Sequence, residues 1–193
     1  MEALQQLKTA VFGLHPLTEE EWGTFAASLV RKHYKKGDFL ISEGQTENHI
    51  YFLISGATRH YFIRDGKEFT VDFQFVGDFV TAYYSLITRE PSAVFITLME
   101  DTDAWTISLK VLHTFYAQFK NGERIGRLIA EGEYVKRLRK EMELLSLTAE
   151  ERYAALLRRN PGLVSAISVK HLSSYLGIQP ESLSRIRKQY GKS

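Results

Sequence analysis

The chain has 193 residues, 44% apolar and 25% charged, a soluble globular composition that excludes disordered and fibrous classes. It contains no cysteine, which excludes disulfides, thiolate metal sites, cysteine-held iron–sulfur clusters and thiol nucleophiles. The net charge of +2 divides unevenly, since residues 1–120 hold 11 Lys and Arg against 15 Asp and Glu (−4), residues 121–193 hold 14 against 8 (+6), and residues 152–193 hold 8 against the single acid Glu181 (+7). A basic end on an acidic body suits a polyanionic partner such as nucleic acid, although a solvated basic surface explains the charge equally well. No apolar run approaches the roughly 18 residues of a membrane span. The start, Met1 to Lys8, lacks the basic and apolar segments of a secretory leader. The expectation is a cytoplasmic protein with no membrane partner.

The first stretch reads as helical. Thr18 and Glu21 have capping-box spacing, and Trp22, Phe25, Ala26 and Leu29 follow at helical intervals. From about Arg31 the period changes to two. Ile50, Phe52 and Ile54 alternate with other residues, as do Val94, Ile96 and Leu98. Phe69, Val71, Phe73 and Phe75 alternate with Thr70, Asp72 and Gln74, the pattern of a half-buried strand. Asp65-Gly66 between two such runs predicts a tight hairpin. Residues 31–108 therefore read as a small antiparallel β-domain punctuated by glycines.

After Asn121-Gly122 helical periodicity returns for about 25 residues. Ile125, Leu128, Gly132, Val135, Leu138, Met142 and Leu145 form a stripe like a coiled-coil seam, with Gly132 permitting close backbone approach. Such a stripe must be buried, on the chain's own β-domain or on a partner helix of a second copy. The second is preferred, giving a homodimer. Thr148 and Glu151 make a second capping box, and Asn160-Pro161-Gly162 stops the helix they open.

The segment Ser168 to Lys188 reads as helix, tight turn, helix. Ser168 caps the first helix, Leu172 and Leu176 face inward, Ser173 is small at the crossing and Gly177 takes the turn. Pro180 fits the first turn of the second helix, whose inner face is Ile178, Leu183 and Ile186. Gln179, Glu181, Ser182, Arg185 and Lys188 are left for the outer face, where these residue types can read base edges and hold phosphates. Lys170 and the Ser168 helix start are further phosphate candidates. A polar-faced helical hairpin is the plainer alternative.

Taken in order, these motifs resemble the CRP/FNR superfamily of bacterial regulators. Tyr34 to Gly44 looks like the first strand and turn of its β-roll, Ile50 to Gly56 like the next pair, and Phe75 to Phe79 like the start of its phosphate-binding cassette. Ser182-Leu183-Ser184-Arg185 sits where the family carries its DNA-reading residues. The resemblance implies an α+β fold: an N-terminal antiparallel, jelly-roll-like β-roll with flanking helices, a long dimerisation helix and a C-terminal helix-turn-helix. It implies an effector domain over residues 1–120, a dimerisation helix over 121–147 and a DNA-binding domain over 148–193. It also implies double-stranded DNA, a second copy and RNA polymerase as partners.

The effector positions implied by the resemblance are Gly77, Asp78, Phe79, Arg89, Ser92 and Ala93. Asp78, and Pro91 next to Ser92, depart from the family pattern. Asp78 stands for the ribose-binding glutamate, and Pro91 occupies the place of the phosphate-gripping arginine, with Arg89 two residues earlier as an open substitute. Cyclic AMP is therefore a doubtful effector, and another ligand could use a pocket lined partly by Phe79, Tyr83 and Tyr84. Val135 and Lys136 stand about where cyclic-AMP-binding members place hydroxyl residues. No wing hairpin follows the second helix before Ser193. The six histidines show no metal-ligand spacing, and no nucleophile elbow, P-loop or dinucleotide motif occurs, so neither catalytic residues nor a metal is expected. The alternative function is a cyclic-nucleotide-binding module that works through protein contacts.

Overall fold

A computed structural model describes residues 2–190. The end of the 148–193 segment, and with it the expected absence of a wing, lies outside the described residues. The chain divides into two compact units, one made of residues 1–62 and 72–131, the other of residues 63–71 and 132–193.

The first unit opens with α1 (Glu2–Leu14) and α2 (Glu19–Ala27). The predicted capping box starts α2: Thr18 Oγ1 accepts from the Glu21 N–H at 3.2 Å, and the Glu21 carboxylate accepts from the Thr18 N–H at 2.7 Å. Eight strands follow: β1 (Val30–Tyr34), β2 (Phe39–Ile41), β3 (His49–Leu53), β4 (Thr58–Arg64), β5 (Lys67–Gln74), β6 (Phe79–Val80), β7 (Phe95–Leu98) and β8 (Thr102–Ser108). They form two four-stranded sheets, ordered β1-β8-β3-β6 and β2-β7-β4-β5, as expected for a β-roll. The short helix α3 (Tyr83–Thr88) lies between β6 and β7, and α4 (Leu109–Gln118) leads into α5 (Lys120–Ser146).

Among the described residues, apolar clusters hold this unit in two places. Ile41, Tyr51, Leu53, Val80, Ala82, Ile96 and Ala104 fill the roll. Leu7, Val11, Leu17, Trp22, Phe52, Phe115 and Ile125 join the helices to it. Burying such side chains contributes roughly 1.5–3 kcal/mol each, which sets the strand order more firmly than any single hydrogen bond. At the β3–β4 turn Gly56 has φ +81°, and a Cβ there would stand 2.1 Å from Thr102 Oγ1, so the turn admits only glycine.

The β5 alternation is overturned. A half-buried strand would leave Asp72 and Gln74 at the surface, yet both are buried, and Phe69 is 42% exposed. Polar pairing is the reason. Thr58 Oγ1 donates to Gln74 Oε1 at 3.2 Å, Gln74 Nε2 donates to Asp72 Oδ2 at 3.1 Å, and the Phe73 N–H donates to Asp72 Oδ1 at 2.9 Å. Each buried polar atom in that chain is satisfied, so burial carries no desolvation penalty large enough to turn the strand over.

The second unit combines the β4–β5 hairpin tip with the later part of α5 and four helices: α6 (Ala149–Arg159), α7 (Pro161–Ala166), α8 (Val169–Leu176) and α9 (Pro180–Tyr190). At the tip Asp65 (φ 52°) and Gly66 (φ 72°) both have positive φ, the geometry of the predicted two-residue turn. Asn160-Pro161-Gly162 ends α6 as expected, but it also starts α7. Asn160 Oδ1 accepts from the Leu163 N–H at 2.9 Å, and Pro161 takes the first helical position.

Candidate functional site

The first candidate site is the α8–α9 pair. Ser168 caps α8, its Oγ accepting from the His171 N–H at 3.3 Å. Gly177 ends the helix at φ +67°, and the Ile178 N–H closes the turn on the Ser173 carbonyl at 3.0 Å. Leu172, Ser173 and Leu176 of α8 and Leu183 and Ile186 of α9 are buried. That inward face leaves Lys170, Gln179, Glu181, Arg185 and Lys188 exposed, with Ser182 half-buried. The Arg185 guanidinium donates to Ser182 Oγ at 3.3 Å, which ties those two candidates together. Arg187, on the same helix, turns inward instead and donates to the Val164 carbonyl of α7 at 2.7 Å.

Several residues that brace this unit escaped the sequence reading. Arg152 donates from Nε to the Leu176 carbonyl at 3.0 Å and from Nη1 to the Leu147 carbonyl at 2.6 Å, satisfying carbonyls that helix ends leave open. Ser174 Oγ accepts from the Thr70 N–H at 2.8 Å and donates to the Glu68 carbonyl at 3.1 Å, holding the hairpin tip to α8. The Lys140 ammonium lies 3.5 Å from the centre of the Tyr175 ring and donates to the Val71 carbonyl. No sequence pattern announces these contacts, because all but the Arg152–Leu147 bond join segments far apart in the chain.

Along α5 the proposed seam divides. Ile125 is 6% exposed and belongs to the first unit's own core, so it is withdrawn from the seam. Leu128 is half-buried. Gly132 is exposed and a Cβ built on it meets nothing within 4 Å. Val135, Leu138, Met142 and Leu145 are exposed, Leu145 by 82%, as is the neighbouring Tyr134.

The second candidate site is the cassette that runs from the β5–β6 turn through β6 and α3 to the start of β7. Gly77 (φ +91°) donates its N–H to the Leu53 carbonyl at 2.9 Å. Asp78 Oδ2 accepts from the Phe75 N–H at 2.8 Å, so this carboxylate closes its own turn. Phe79 is half-buried with its ring 5.1 Å from that of Phe52. Ser92 is buried and spends its hydroxyl on Val94, and Ala93 is exposed. Arg89, in the left-handed region at φ +66°, donates to the carbonyls of Glu47 (2.7 Å) and Leu86 (3.2 Å) and to Asn48 Oδ1 (2.5 Å).

Glu47 is the residue that sequence reasoning missed. It is 2% exposed, with its N–H on Ser85 Oγ at 3.0 Å. Its carboxylate accepts from the N–H groups of Asn48 (2.9 Å), His49 (3.0 Å) and Ala82 (3.4 Å). Burial pushes its pKa up, against those amides and the nearby Arg89. Beside it lies a cavity of about 460 Å³ whose lining includes Leu40, Gln45, Glu47, His49 and Tyr51. Tyr83 and Tyr84, expected at the pocket, are exposed and do not line it. Burial and the Lys32 charge push the His49 pKa down, which favours its neutral imidazole. Among the described residues no cluster of three or more His, Asp and Glu could hold a metal, and no helix is long and apolar enough to cross a membrane.

Residues 31–119 match the cyclic nucleotide-binding domain family. None of the curated proteins matches the chain. FixK2 from Bradyrhizobium japonicum is 23% identical, covering 85% of this chain and 85% of its own, with a TM-score of 0.73. CLP, the c-di-GMP-responsive global regulator of Xanthomonas campestris, is 18% identical over 91% of this chain and 92% of its own, with a TM-score of 0.70. The Thermus thermophilus catabolite activator protein is 20% identical over 95% and 87%, with a TM-score of 0.58. Residues 31–119 are thus similar to the cyclic nucleotide-binding domain, and the 85–91% of the chain that FixK2 and CLP cover shares their α+β fold.

Proposed function

We propose that the chain is a sequence-specific DNA-binding transcription regulator of the CRP/FNR type, acting as a homodimer and controlled by an effector at its β-roll. The observation that carries this is the α8–Gly177–α9 pair, which buries one apolar face and exposes Gln179, Glu181, Arg185 and Lys188. In this reading Arg185 grips a guanine, Glu181 and Ser182 support base choice, and Lys170, Lys188 and the Ser168 helix start hold phosphates. The exposed stripe from Gly132 to Leu145 meets the same stripe of a second copy. RNA polymerase is a further partner and the cytoplasm the location, and no enzymatic role is assigned. Cyclic AMP is not the effector, because Pro91 offers no cation and Asp78 is spent on its turn. Residues 1–120, 121–147 and 148–193 serve as effector domain, dimerisation helix and DNA-binding domain.

Two recognition helices related by a two-fold axis reach successive major grooves about 34 Å apart. Fragments selected from a genomic library by the purified protein should therefore share an inverted repeat with half-sites one helical turn apart. Anisotropy titration at two salt concentrations should show strong weakening with salt, from phosphate contacts. Selection that enriches no common sequence would remove this reading in favour of a module acting through protein contacts.

A further inference from the structure

A ligand domain that takes an anionic effector must keep donors open for it. In this β-roll the donors around residues 47–49 are already occupied from within. Glu47 Oε1 takes the consecutive amides of Asn48 and His49 at 2.9 and 3.0 Å, and Oε2 takes the Ala82 amide at 3.4 Å. The Arg89 guanidinium is directed onto the Glu47 and Leu86 carbonyls and Asn48 Oδ1. The rest of Glu47 pins the cassette shut, its N–H on Ser85 Oγ at 3.0 Å, while Gly44 and Gln45 exchange backbone hydrogen bonds with Ser92 at 2.8 Å each.

We propose that Glu47 is the resident anion of this β-roll, occupying the donors that a phosphate-bearing effector needs and leaving the adjoining cavity to an uncharged ligand. The proposal rests on the reading of the β-roll as the effector domain. A second anion beside Glu47 would find the amides taken and, once Glu47 is ionised, would be repelled at close range. Replacing three amide partners also exposes buried polar groups, which adds to the cost of entry. The cavity is an open one of about 460 Å³, wide enough to admit a small molecule from solvent. Leu40 and Tyr51 supply apolar wall, while Gln45 and the His49 imidazole supply hydrogen-bonding groups without a formal cation. That lining suits a ligand carrying hydroxyl or amide groups.

The experiment is a calorimetric titration of the full chain and its Glu47→Ala variant with acetate, inorganic phosphate and cyclic AMP. The wild type should bind none of the three saturably. The Ala variant should bind acetate at least about tenfold more tightly than the wild type, the acetate replacing the missing carboxylate, and its melting temperature should rise with acetate. Saturable binding of phosphate or cyclic AMP by the wild type overturns the proposal, as does a folded Ala variant indifferent to acetate. Should that variant not fold, amide NMR of the wild type decides. The Asn48, His49 and Ala82 resonances should stay fixed as phosphate is added, and saturable movement of them overturns the proposal. A DNA titration on the same preparations reads the regulator function separately, so either conclusion can fail alone.

Discussion

Arg187 of α9 donates to the backbone carbonyl of Val164 in α7 across 2.7 Å, whereas Arg185, two residues earlier, is exposed and donates to Ser182 Oγ of its own helix. Two arginines on one helix thus have different employment. Arg187→Ala strips a charged donor from a carbonyl at a helix junction. Urea unfolding should show a loss of about 1–2 kcal/mol, while Lys188→Ala leaves the midpoint unchanged. Equal stability of the two variants would mean that the Arg187 brace contributes nothing.

Arg185→Ala should leave stability alone and change DNA reading. Loss of a guanine contact costs about 1–3 kcal/mol and relaxes preference at one base pair. Lys188→Ala should weaken all fragments alike and flatten the salt dependence by about one phosphate contact. Binding of every fragment by Arg185→Ala as by wild type would displace α9 from the recognition role.

The proposed dimer is tested at Gly132 and Leu138. A methyl group at Gly132 meets nothing in its own chain, and alanine favours a helix over glycine by about 1 kcal/mol. Gly132→Ala should therefore stabilise the isolated chain yet loosen a dimer whose backbones approach there. Leu138→Glu buries an unpaired charge in that interface at a cost of roughly 3 kcal/mol or more, over a hundredfold in affinity. Sedimentation should show Leu138→Glu as monomer. A dimer persisting at micromolar concentration would move the interface elsewhere.

Stability should depend on pH with two opposing contributions. Burial raises the Glu47 pKa, so the folded chain holds that proton more tightly than the unfolded chain. Stability from this group is present below the unfolded value and is lost as pH rises through the folded one. Asp103 is the reverse. Hydrogen bonds from Arg31 and His33 lower its pKa, so its contribution is present above the unfolded value and is lost as pH falls through the folded one. Urea unfolding as pH rises through the carboxylate range should show the wild type losing stability relative to Glu47→Gln. Parallel curves for the two proteins would show that burial does not hold the Glu47 proton.

Local chemistry accounts for what could be read in advance. Both capping boxes, the Asp65-Gly66 turn and the Gly177 helix end depend on residues within a few positions of one another, and all four form as their types dictate. The α8–α9 pair was equally legible, since a period of three to four with a turn glycine fixes which face is buried. Non-local pairing defeated the reading elsewhere. Gln74 and Asp72 are polar in sequence and buried in fact because Thr58, on another strand, completes their hydrogen bonds. Ile125 fits the α5 stripe by spacing, yet Leu7 and Phe115 claim it for the core. Glu47 carries no motif, and its role arises only where the amide of Ala82, 35 residues on, turns toward it.

The hairpin tip at residues 63–71 falls in the same compact unit as α8 while its strands run back into the β-roll. The backbone consequently passes from one unit to the other at three places: after Phe62, after Val71 and after Glu131. A single proteolytic cut cannot part them. A fragment beginning at Gly132 would leave Ser174 without Thr70 and Glu68, and Lys140 without Val71. Dissection of this protein into independent halves therefore has to excise an internal loop, and grafting the helices onto another domain must carry nine residues of β-hairpin along with them.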